Sequence, residues 1–538
     1  MRPFALVIFL VLVAFVIEIA ITAAVGFRYA YEPSPSNVIS RIRATPETYN
    51  LWNRSVTQEE AKGGNGAVRI DEETLRLGRE AFYKETFNNE IFLSDIVGIL
   101  DGPLRITNVT KAILALKGGG TTNLRVEVPE TVVVGGRKFE KGSYFDTGLD
   151  VPRGTIVPLG MAISISGWKI RAGITCAACH ATVDPETKKV IEGAPHGDLN
   201  AGLLIALGTN SAAYFMHTDV HPLAANIPKA VHGKLTLPNA AALEEAVDEA
   251  LLMWPRGNFD SLTDLKADPT QNPVSFTWGN HPYGWSGNFM AGPFRGLSSQ
   301  NNNVHALNSD SLLLAGSSQT LFDMDKETFL AVLLQNAADK KYRYDLSSGK
   351  KPSEFFASVH KTRSPGINQV VLPPTYPKGT IISPDGTLTS SPGYTFWQQN
   401  NAMAAWQDTI IPPPVRISAD TPTKNRGRQV FERAGCDTCH AGPFLTNNKI
   451  ISSSEIRTNP VRSLALQKTE LNFTSPILIH STRPYLCPAT QNSCPCLQII
   501  WTSSRSIWLG RITARKEAIK CRRLLAYTGA RLICTTEA

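Results

Sequence analysis

The sequence predicts a mainly α-helical protein of two related domains, with a β-hairpin inserted in the first and a long irregular region between them. Three observations support this prediction. The chain has 538 residues, 42% of them apolar, which suits two or three domains with cores of their own. Two similar helical fragments occur at 77–82 and 426–431. A short motif of two cysteines and a histidine also occurs twice, 260 residues apart.

The N-terminus is strongly apolar. The run from Phe4 to Ile17 is unbroken, and after Glu18 it continues to Phe27. About 24 helical residues would cross a hydrocarbon core of about 30 Å. We therefore predict that residues 1–30 anchor the protein in a membrane, with its body exported to the periplasm or another extracytoplasmic space. A cleaved signal peptide is the alternative, because Ala23 and Ala24 supply small residues without a clear cleavage pattern.

The segments after the anchor differ in composition. Residues 31–70 are rich in Pro, Ser and Gly and are predicted to be a linker. Residues 71–84 have the pattern of an amphipathic helix, and residues 200–215 also look helical. Between 122 and 151, apolar and polar residues alternate, and Gly135-Gly136 marks a hairpin turn. Residues 254–414 are rich in Pro, Gly, Asn and Trp, with helical islands such as 326–338, and are too long for a loop.

The repeated motif is C-x-x-C-H, the attachment signature of c-type haem. Two thiols at this spacing can each add to one haem vinyl group, and the next residue can then present its imidazole to the iron. The predicted cofactors are therefore two covalently bound haem c groups. Cys176, Cys179 and His180 would hold the first, and Cys436, Cys439 and His440 the second, with His180 and His440 as the iron ligands.

The same cysteines could also form a zinc site from two C-x-x-C pairs, or two redox dithiols. Neither alternative explains why a histidine follows each pair. By composition, a C-x-x-C-H sequence is expected roughly 0.003 times in this chain. Two occurrences therefore favour haem attachment, which also agrees with export.

The residues before each motif extend the repeat. Gly427 and Phe431 precede Cys436 within one predicted helix, and Gly78 and Phe82 have the same spacing far upstream of Cys176. We predict a first haem domain at 71–253, with an insertion between its opening helix and its motif. Residues 254–414 are then an inter-haem region, and 415–478 a truncated second haem domain.

The sequence does not select the remaining axial ligands of the two irons. A methionine, a second histidine or an open position would each give different redox behaviour. The candidates are His196, His217, His221, His232, His281, His305, His360 and His480, together with Met161, Met216, Met253, Met290, Met324 and Met403.

With two such motifs, the Gly-Arg-x-x-Phe helices and an anchor or signal, the chain resembles the diheme cytochrome c superfamily. That group includes diheme cytochrome c peroxidases and rubber-oxygenase-like electron-transport proteins, and the stretch from Thr147 to Gly154 looks closest to the latter. The resemblance covers about 75–478. It implies two cytochrome c-like haem domains, electron exchange with a small redox protein or another electron donor, and peroxide or oxygen as candidate substrates.

The resemblance stops near Ile479. A one-nucleotide shift of the back-translated tail restores sequence typical of the family, so we interpret 479–538 as an out-of-frame product. The tail holds five of the nine cysteines and seven of the eight net positive charges. The preceding body is nearly neutral, and no nucleic-acid partner is predicted.

The predicted function is an exported diheme cytochrome that transfers electrons, coupled in one version to the activation of peroxide or oxygen. The alternative is an electron carrier with both irons six-coordinate and no substrate. The sequence leaves open whether the protein is an enzyme, and it identifies no catalytic residue beyond the haem ligands. A structural or gas-sensing haem protein is a third possibility.

Overall fold

The structure is a computed structural model. It describes residues 27–39, 41–42, 48–50, 67–69, 71–166, 169–223, 235–262, 264–276, 297, 301, 309–360, 375–376, 379–380, 395–413, 420–441 and 451–457. Residues 1–26 of the predicted anchor and the whole predicted out-of-frame tail lie outside these residues. No helix in the described part of the chain is both long and apolar enough to span a membrane.

The described residues form both helices and sheets. The α-helices are α1 (Glu72–Lys84), α2 (Ile106–Ala115), α3 (Ala177–His180), α4 (Ala201–Ala206), α5 (Ala240–Leu252), α6 (Ser318–Phe322), α7 (Lys326–Leu334), α8 (Pro352–Val359), α9 (Thr395–Thr409), α10 (Thr421–Arg433) and α11 (Ser453–Ile456). A π-helix spans Ile91–Val97, and 3₁₀ helices span Pro35–Asn37, Ser211–His217, Ser311–Ser317, Leu346–Ser348 and Cys436–Thr438.

The strands are short. They are β1 (Phe27–Ala30), β2 (Arg41–Ile42), β3 (Thr48–Asn50), β4 (Ala67–Arg69), β5 (Arg125–Glu127), β6 (Val132–Val134), β7 (Arg137–Phe139), β8 (Tyr144–Asp146), β9 (Met161–Ser166), β10 (Lys169–Ile174), β11 (Ala181–Val183), β12 (Val190–Glu192), β13 (Asn258–Phe259), β14 (Thr270–Gln271), β15 (Thr375–Tyr376), β16 (Gly379–Thr380) and β17 (Ile410–Ile411).

The prediction of a mainly α-helical fold is wrong. Helices account for 43% and strands for 14% of the described residues, so the architecture is mixed α and β with several small sheets. The predicted hairpin is present as β6 and β7, joined by Gly135 and Gly136 at φ of 50° and 69°. Most other strands have two or three residues, too few to show a period-two pattern.

The largest sheet leads directly to the first motif. Strand β9 lies between β1 and β10, and both pairings are antiparallel. Strand β10 ends two residues before Cys176, and the Asn89 side chain bonds the backbone of Ile174 on both sides, donating to its carbonyl and accepting from its N–H. The last four residues of the predicted anchor segment, Phe27–Ala30, are therefore strand β1 of this sheet.

Helix α1 begins at the N-cap Asp71, whose side chain accepts a bond from the Thr74 N–H at 2.9 Å. It packs along α9, which comes from the region predicted to lie between the haem domains. A Cβ atom placed on Gly78 would lie 2.0 Å from the carbonyl oxygen of Ala402, so only glycine allows the two backbones to approach this closely.

Two apolar clusters form the core. The larger gathers the π-helix, the Ser211–His217 helix, α5 and α7 around buried aliphatic and aromatic side chains. The smaller lies at the crossing of α1 and α9, where the Phe82 and Trp406 ring centroids are 4.9 Å apart. Cys176 belongs to the smaller cluster, and Cys179 packs against the larger one. The first motif therefore bridges the two clusters.

Candidate functional site

The first C-x-x-C-H motif forms a single tight turn after β10. Its helix, α3, has only four residues, and the His180 N–H bonds the Cys176 carbonyl at 3.0 Å. Gly160 lies directly against this turn at φ of 74°, and a Cβ there would lie 2.0 Å from the Ala178 nitrogen. The backbone around the motif is thus packed against a neighbouring loop.

A cavity of about 390 Å³ opens beside this turn, and both Cys179 and His180 line it. Much of the remaining lining is aliphatic, including Leu93, Leu104, Leu149, Leu159, Leu204 and Ile205. A pocket of this size and character suits a flat, largely apolar macrocycle. Polar groups are also present, among them Asn301 and Gln407, which share a 2.6 Å hydrogen bond.

The imidazole of His180 is held in a ligand-competent form. Its Nδ1 lies 2.9 Å from the Pro273 carbonyl oxygen, which requires the proton on Nδ1 and leaves the lone pair on Nε2. Burial lowers the pKa of His180, so the ring is neutral at physiological pH. A neutral histidine whose other nitrogen bonds a backbone carbonyl is the usual arrangement of a protein iron ligand.

The two thiols of this motif lie in different surroundings. Burial raises the pKa of Cys179 to about 12, and it raises the pKa of Cys176 further. Cys176 is buried at the α1–α9 crossing, with its Sγ 3.6 Å from the Sδ of Met403. A redox dithiol needs at least one thiol of lowered pKa. The structure therefore does not favour the dithiol alternative.

The zinc alternative also lacks support. Among the described residues, no group of three or more His, Cys, Asp and Glu side chains is placed to hold a metal ion. Of the motif side chains, Cys179 and His180 line the cavity and could hold a haem there, whereas the Cys176 thiol is not part of its lining. Cys176 instead lies on the side of the turn next to α9.

The second motif is placed differently. Helix α10 begins at the N-cap Asp420 and buries none of its residues. Gly435, at φ of 72°, turns the chain into Cys436–Thr438, and the His440 N–H bonds the Cys436 carbonyl at 2.9 Å. The ring centroids of Phe431 and His440 are 6.4 Å apart. The two motifs thus have a similar backbone turn, but only the first is packed between buried apolar clusters in the described part of the chain.

The candidate axial ligands differ in the hydrogen-bond partners of their ring nitrogens and in their contacts with the cavity wall. His196 is buried, and both of its ring nitrogens face protein groups, the Ala178 carbonyl and the Asp150 carboxylate. His217 is also buried, and its Nδ1 lies 2.8 Å from the Leu262 carbonyl. The His217 Nε2 has no hydrogen-bond partner among the described residues, and burial lowers the pKa of the His217 imidazole to about 4. Tyr214 and Phe259, which pack against the His217 ring, both line the cavity.

The other candidates are scattered. Met161 lines the cavity, Met403 contacts Cys176, and Met216 and Met324 are buried in the larger cluster. Met253 is largely exposed, the His221 Nδ1 accepts a bond from the Leu223 N–H, and His360 stacks on Phe356. His232, His281, His305, His480 and Met290 lie outside the described residues.

Two contributors to this site were not identified as such from the sequence. Pro273 supplies only a backbone carbonyl, for which a sequence carries no signal. Asp150 lies in the stretch 147–154, which we noted for its resemblance to other proteins rather than for a contact with the motif. Searches of family models, of curated proteins and of solved structures found no match to this chain.

Proposed function

We propose that this chain is an exported c-type cytochrome with two covalent haems, and that it transfers electrons through a first haem accessible to a small ligand. The observation that carries the proposal is the first motif itself. A C-x-x-C-H turn lies at the wall of an apolar cavity, and its histidine is fixed in the tautomer that coordinates iron through Nε2. The second copy of the motif supports a second haem.

The residues of the chain have separate tasks in this proposal. His180 would coordinate the first iron, with the Pro273 carbonyl holding its ring in one orientation. Cys179 would tether the macrocycle from the cavity wall and Cys176 from the α9 side of the turn, and the leucines and isoleucines of the cavity would exclude water from its faces. When bound, the haem supplies a redox-active iron. His440 would coordinate the second iron, near the ring of Phe431.

The peroxidase- or oxygenase-like version requires that no protein group fill the remaining coordination position of the first iron. One observation favours the simple electron carrier instead. The neutral imidazole of His217 has an unused Nε2 lone pair and packs against two residues of the cavity wall. A histidine in this state could supply a sixth ligand and close the iron to substrates.

Haem counting tests the proposal. The full chain, produced in a bacterium that attaches haem c in its periplasm, should carry two haems by the pyridine haemochrome assay and stain for haem on a denaturing gel. Each double variant, Cys176→Ala/Cys179→Ala and Cys436→Ala/Cys439→Ala, should carry one. Cys494→Ala, in the tail, is the matched control and should keep two. Wild-type protein without covalent haem would refute the proposal.

Ligand binding separates the two versions. A high-spin ferric haem that binds cyanide or peroxide, and carbon monoxide after reduction, supports substrate turnover at the first site. Two low-spin haems that bind none of these support the electron carrier. In that case His217→Phe should convert one haem to a high-spin form. If His217→Phe leaves both haems low-spin, His217 is not the sixth ligand.

A further inference from the structure

Two buried side chains next to the first motif have no role in the attachment chemistry described above. His196 and Asp150 are each only 1% exposed, and the His196 Nε2 lies 3.5 Å from the Asp150 Oδ1. That separation is an ion-pair distance, longer than a good hydrogen bond, and neither atom has another hydrogen-bond partner among the described residues. The contact between these two atoms is therefore weak, and hydrogen bonds to other residues hold each side chain in position.

His196 satisfies the end of the motif turn. Its backbone N–H bonds the Cys179 carbonyl at 2.9 Å, and its Nδ1 lies 2.7 Å from the Ala178 carbonyl oxygen. The last carbonyls of a helix have no partner within the helix, and α3 is only one turn long. Donors at this end, including an imidazole, complement the exposed carbonyl dipoles. His196 thus holds the backbone that immediately precedes His180.

Asp150 holds the backbone that immediately follows. Its Oδ2 accepts bonds from the Thr182 hydroxyl at 2.8 Å and from the Val183 N–H at 2.5 Å. Both residues lie on β11, which begins directly after His180. Through the contact between Asp150 and His196, the chain segments on either side of the iron-binding histidine are connected to each other.

The carbonyl of His196 completes the arrangement. It accepts a bond from the Asn272 side chain at 3.3 Å, and the next residue, Pro273, provides the carbonyl that orients the His180 ring. The main-chain and side-chain atoms of His196 therefore contact both the motif turn and the segment that sets the tautomer of its histidine.

We infer that His196 and Asp150 are positioning residues that fix the orientation of the His180 imidazole toward the cavity, and that His196 is not an axial ligand. The inference rests on the proposed haem function. The pair acts through the backbone on both sides of His180 and through Asn272, so its loss should change the coordination geometry of the first haem. In the described part of the chain, no hydrogen bond or ion pair joins this pair to the second motif, so the second haem serves as an internal reference.

Three variants of the full chain test the inference. His196→Phe keeps an aromatic ring but removes the Nδ1 bond to the Ala178 carbonyl and the Nε2 contact with Asp150. His196→Gln keeps an amide donor that can reach the Ala178 carbonyl, and Asp150→Asn keeps the shape of the carboxylate without its charge. Asp248→Asn is the matched control, because Asp248 is a buried carboxyl bonded to Ser211 at 2.5 Å, away from the motif. Haem content, EPR g values and the midpoint potential of each haem are measured.

We expect His196→Phe and Asp150→Asn to shift the g values and midpoint potential of the first haem while leaving the second unchanged, with partial recovery in His196→Gln. Asp248→Asn should leave both haems unchanged. Unaltered signals in Asp150→Asn and His196→Gln would overturn the inference, as would equal shifts of both haems. If His196→Phe does not fold, the other two variants decide. Loss of an axial ligand in His196→Gln, with the iron becoming five-coordinate, would show that His196 is a ligand and also overturn the inference.

A failure of the underlying function is distinguishable. Wild-type protein that carries no haem at the first motif refutes the proposed function, and the variants then have no signal to shift. Wild-type protein with two haems and variants with unchanged first-haem signals refutes only the positioning role.

Discussion

The close crossing of α1 and α9 gives the sharpest prediction, because the same repeat supplies its control. In Gly78→Ala, the new Cβ would lie 2.0 Å from the Ala402 oxygen and 2.4 Å from its carbonyl carbon. Non-bonded carbon atoms prefer about 3.5–4.0 Å, so the helices must separate by more than about 1 Å. Alanine gains up to about 1 kcal/mol in helix propensity, but overpacking of this kind typically costs 1–3 kcal/mol or more.

Both atoms that the new methyl group meets belong to the backbone and cannot rotate away, so we expect a cost at the upper end of that range. The net loss should be about 1–2 kcal/mol or more, with a fall of several degrees in the melting temperature. Gly427→Ala changes the corresponding position of α10, where a Cβ would meet nothing within 4 Å among the described residues. There the propensity gain is unopposed, so stability should be equal or slightly higher.

The assay combines thermal unfolding followed by circular dichroism with amide hydrogen exchange of the peptides covering α1 and α10. Gly78→Ala should lower the melting temperature and speed exchange in α1, and Gly427→Ala should slow exchange in α10. The reasoning is refuted if Gly78→Ala is as stable as the unmodified protein, or if the two substitutions have equal effects. Equal effects would mean that helix propensity alone governs both sites.

Three further predictions follow from individual side chains. Burial raises the pKa of Asp248 to about 8, so the folded protein binds a proton that the unfolded chain lacks between about pH 4 and pH 8. Stability should therefore fall as the pH rises through this window, and urea titrations should show a smaller fall in Asp248→Asn. Tyr83 donates a 3.0 Å hydrogen bond to buried Glu192, so Tyr83→Phe should cost about 1–2 kcal/mol in chemical denaturation. His180→Ala and His440→Ala should each alter the spectrum of one haem and leave the other, and an unchanged spectrum would contradict the ligand assignment.

Local patterns predicted local structure well. The helix at 71–84 is α1, which begins one residue later because Asp71 is its N-cap. The hairpin is β6 and β7, where consecutive glycines permit two positive φ angles. The predicted helix at 326–338 is α7, Lys326–Leu334, and the segment at 200–215 divides into α4 and a 3₁₀ helix. Each of these elements depends mainly on residues within or next to it.

The sequence did not predict which residues far apart in the chain contact each other. Gly78 was noted only for its spacing to Phe82, and nothing in the sequence identified Ala402 as the point where another backbone contacts it. Likewise, His196 and His217 are both histidines near the first motif, with the same intrinsic chemistry. Only their partners distinguish them, since His196 bonds the motif backbone and His217 has an unused Nε2. The mainly α-helical expectation failed for a different reason, because the strands have only two to six residues and most are too short to show an alternating pattern.

The two copies of the repeat now differ in a way that bears on the tail. In the first copy, α1 is covered by α9, which lies far along the chain from its motif. In the second copy, α10 has the same Gly and Phe spacing but buries none of its residues.

If both copies follow one plan, a cover for α10 must come from sequence that follows Cys439. That sequence includes 479–538, the segment that we interpret from its composition and its shifted reading frame as out of frame. Resequencing the locus should therefore reveal an insertion or deletion near Leu478, and the corrected chain should protect α10 from hydrogen exchange. An unbroken frame across Leu478 would refute the frameshift, and continued rapid exchange in a corrected chain would refute the shared plan.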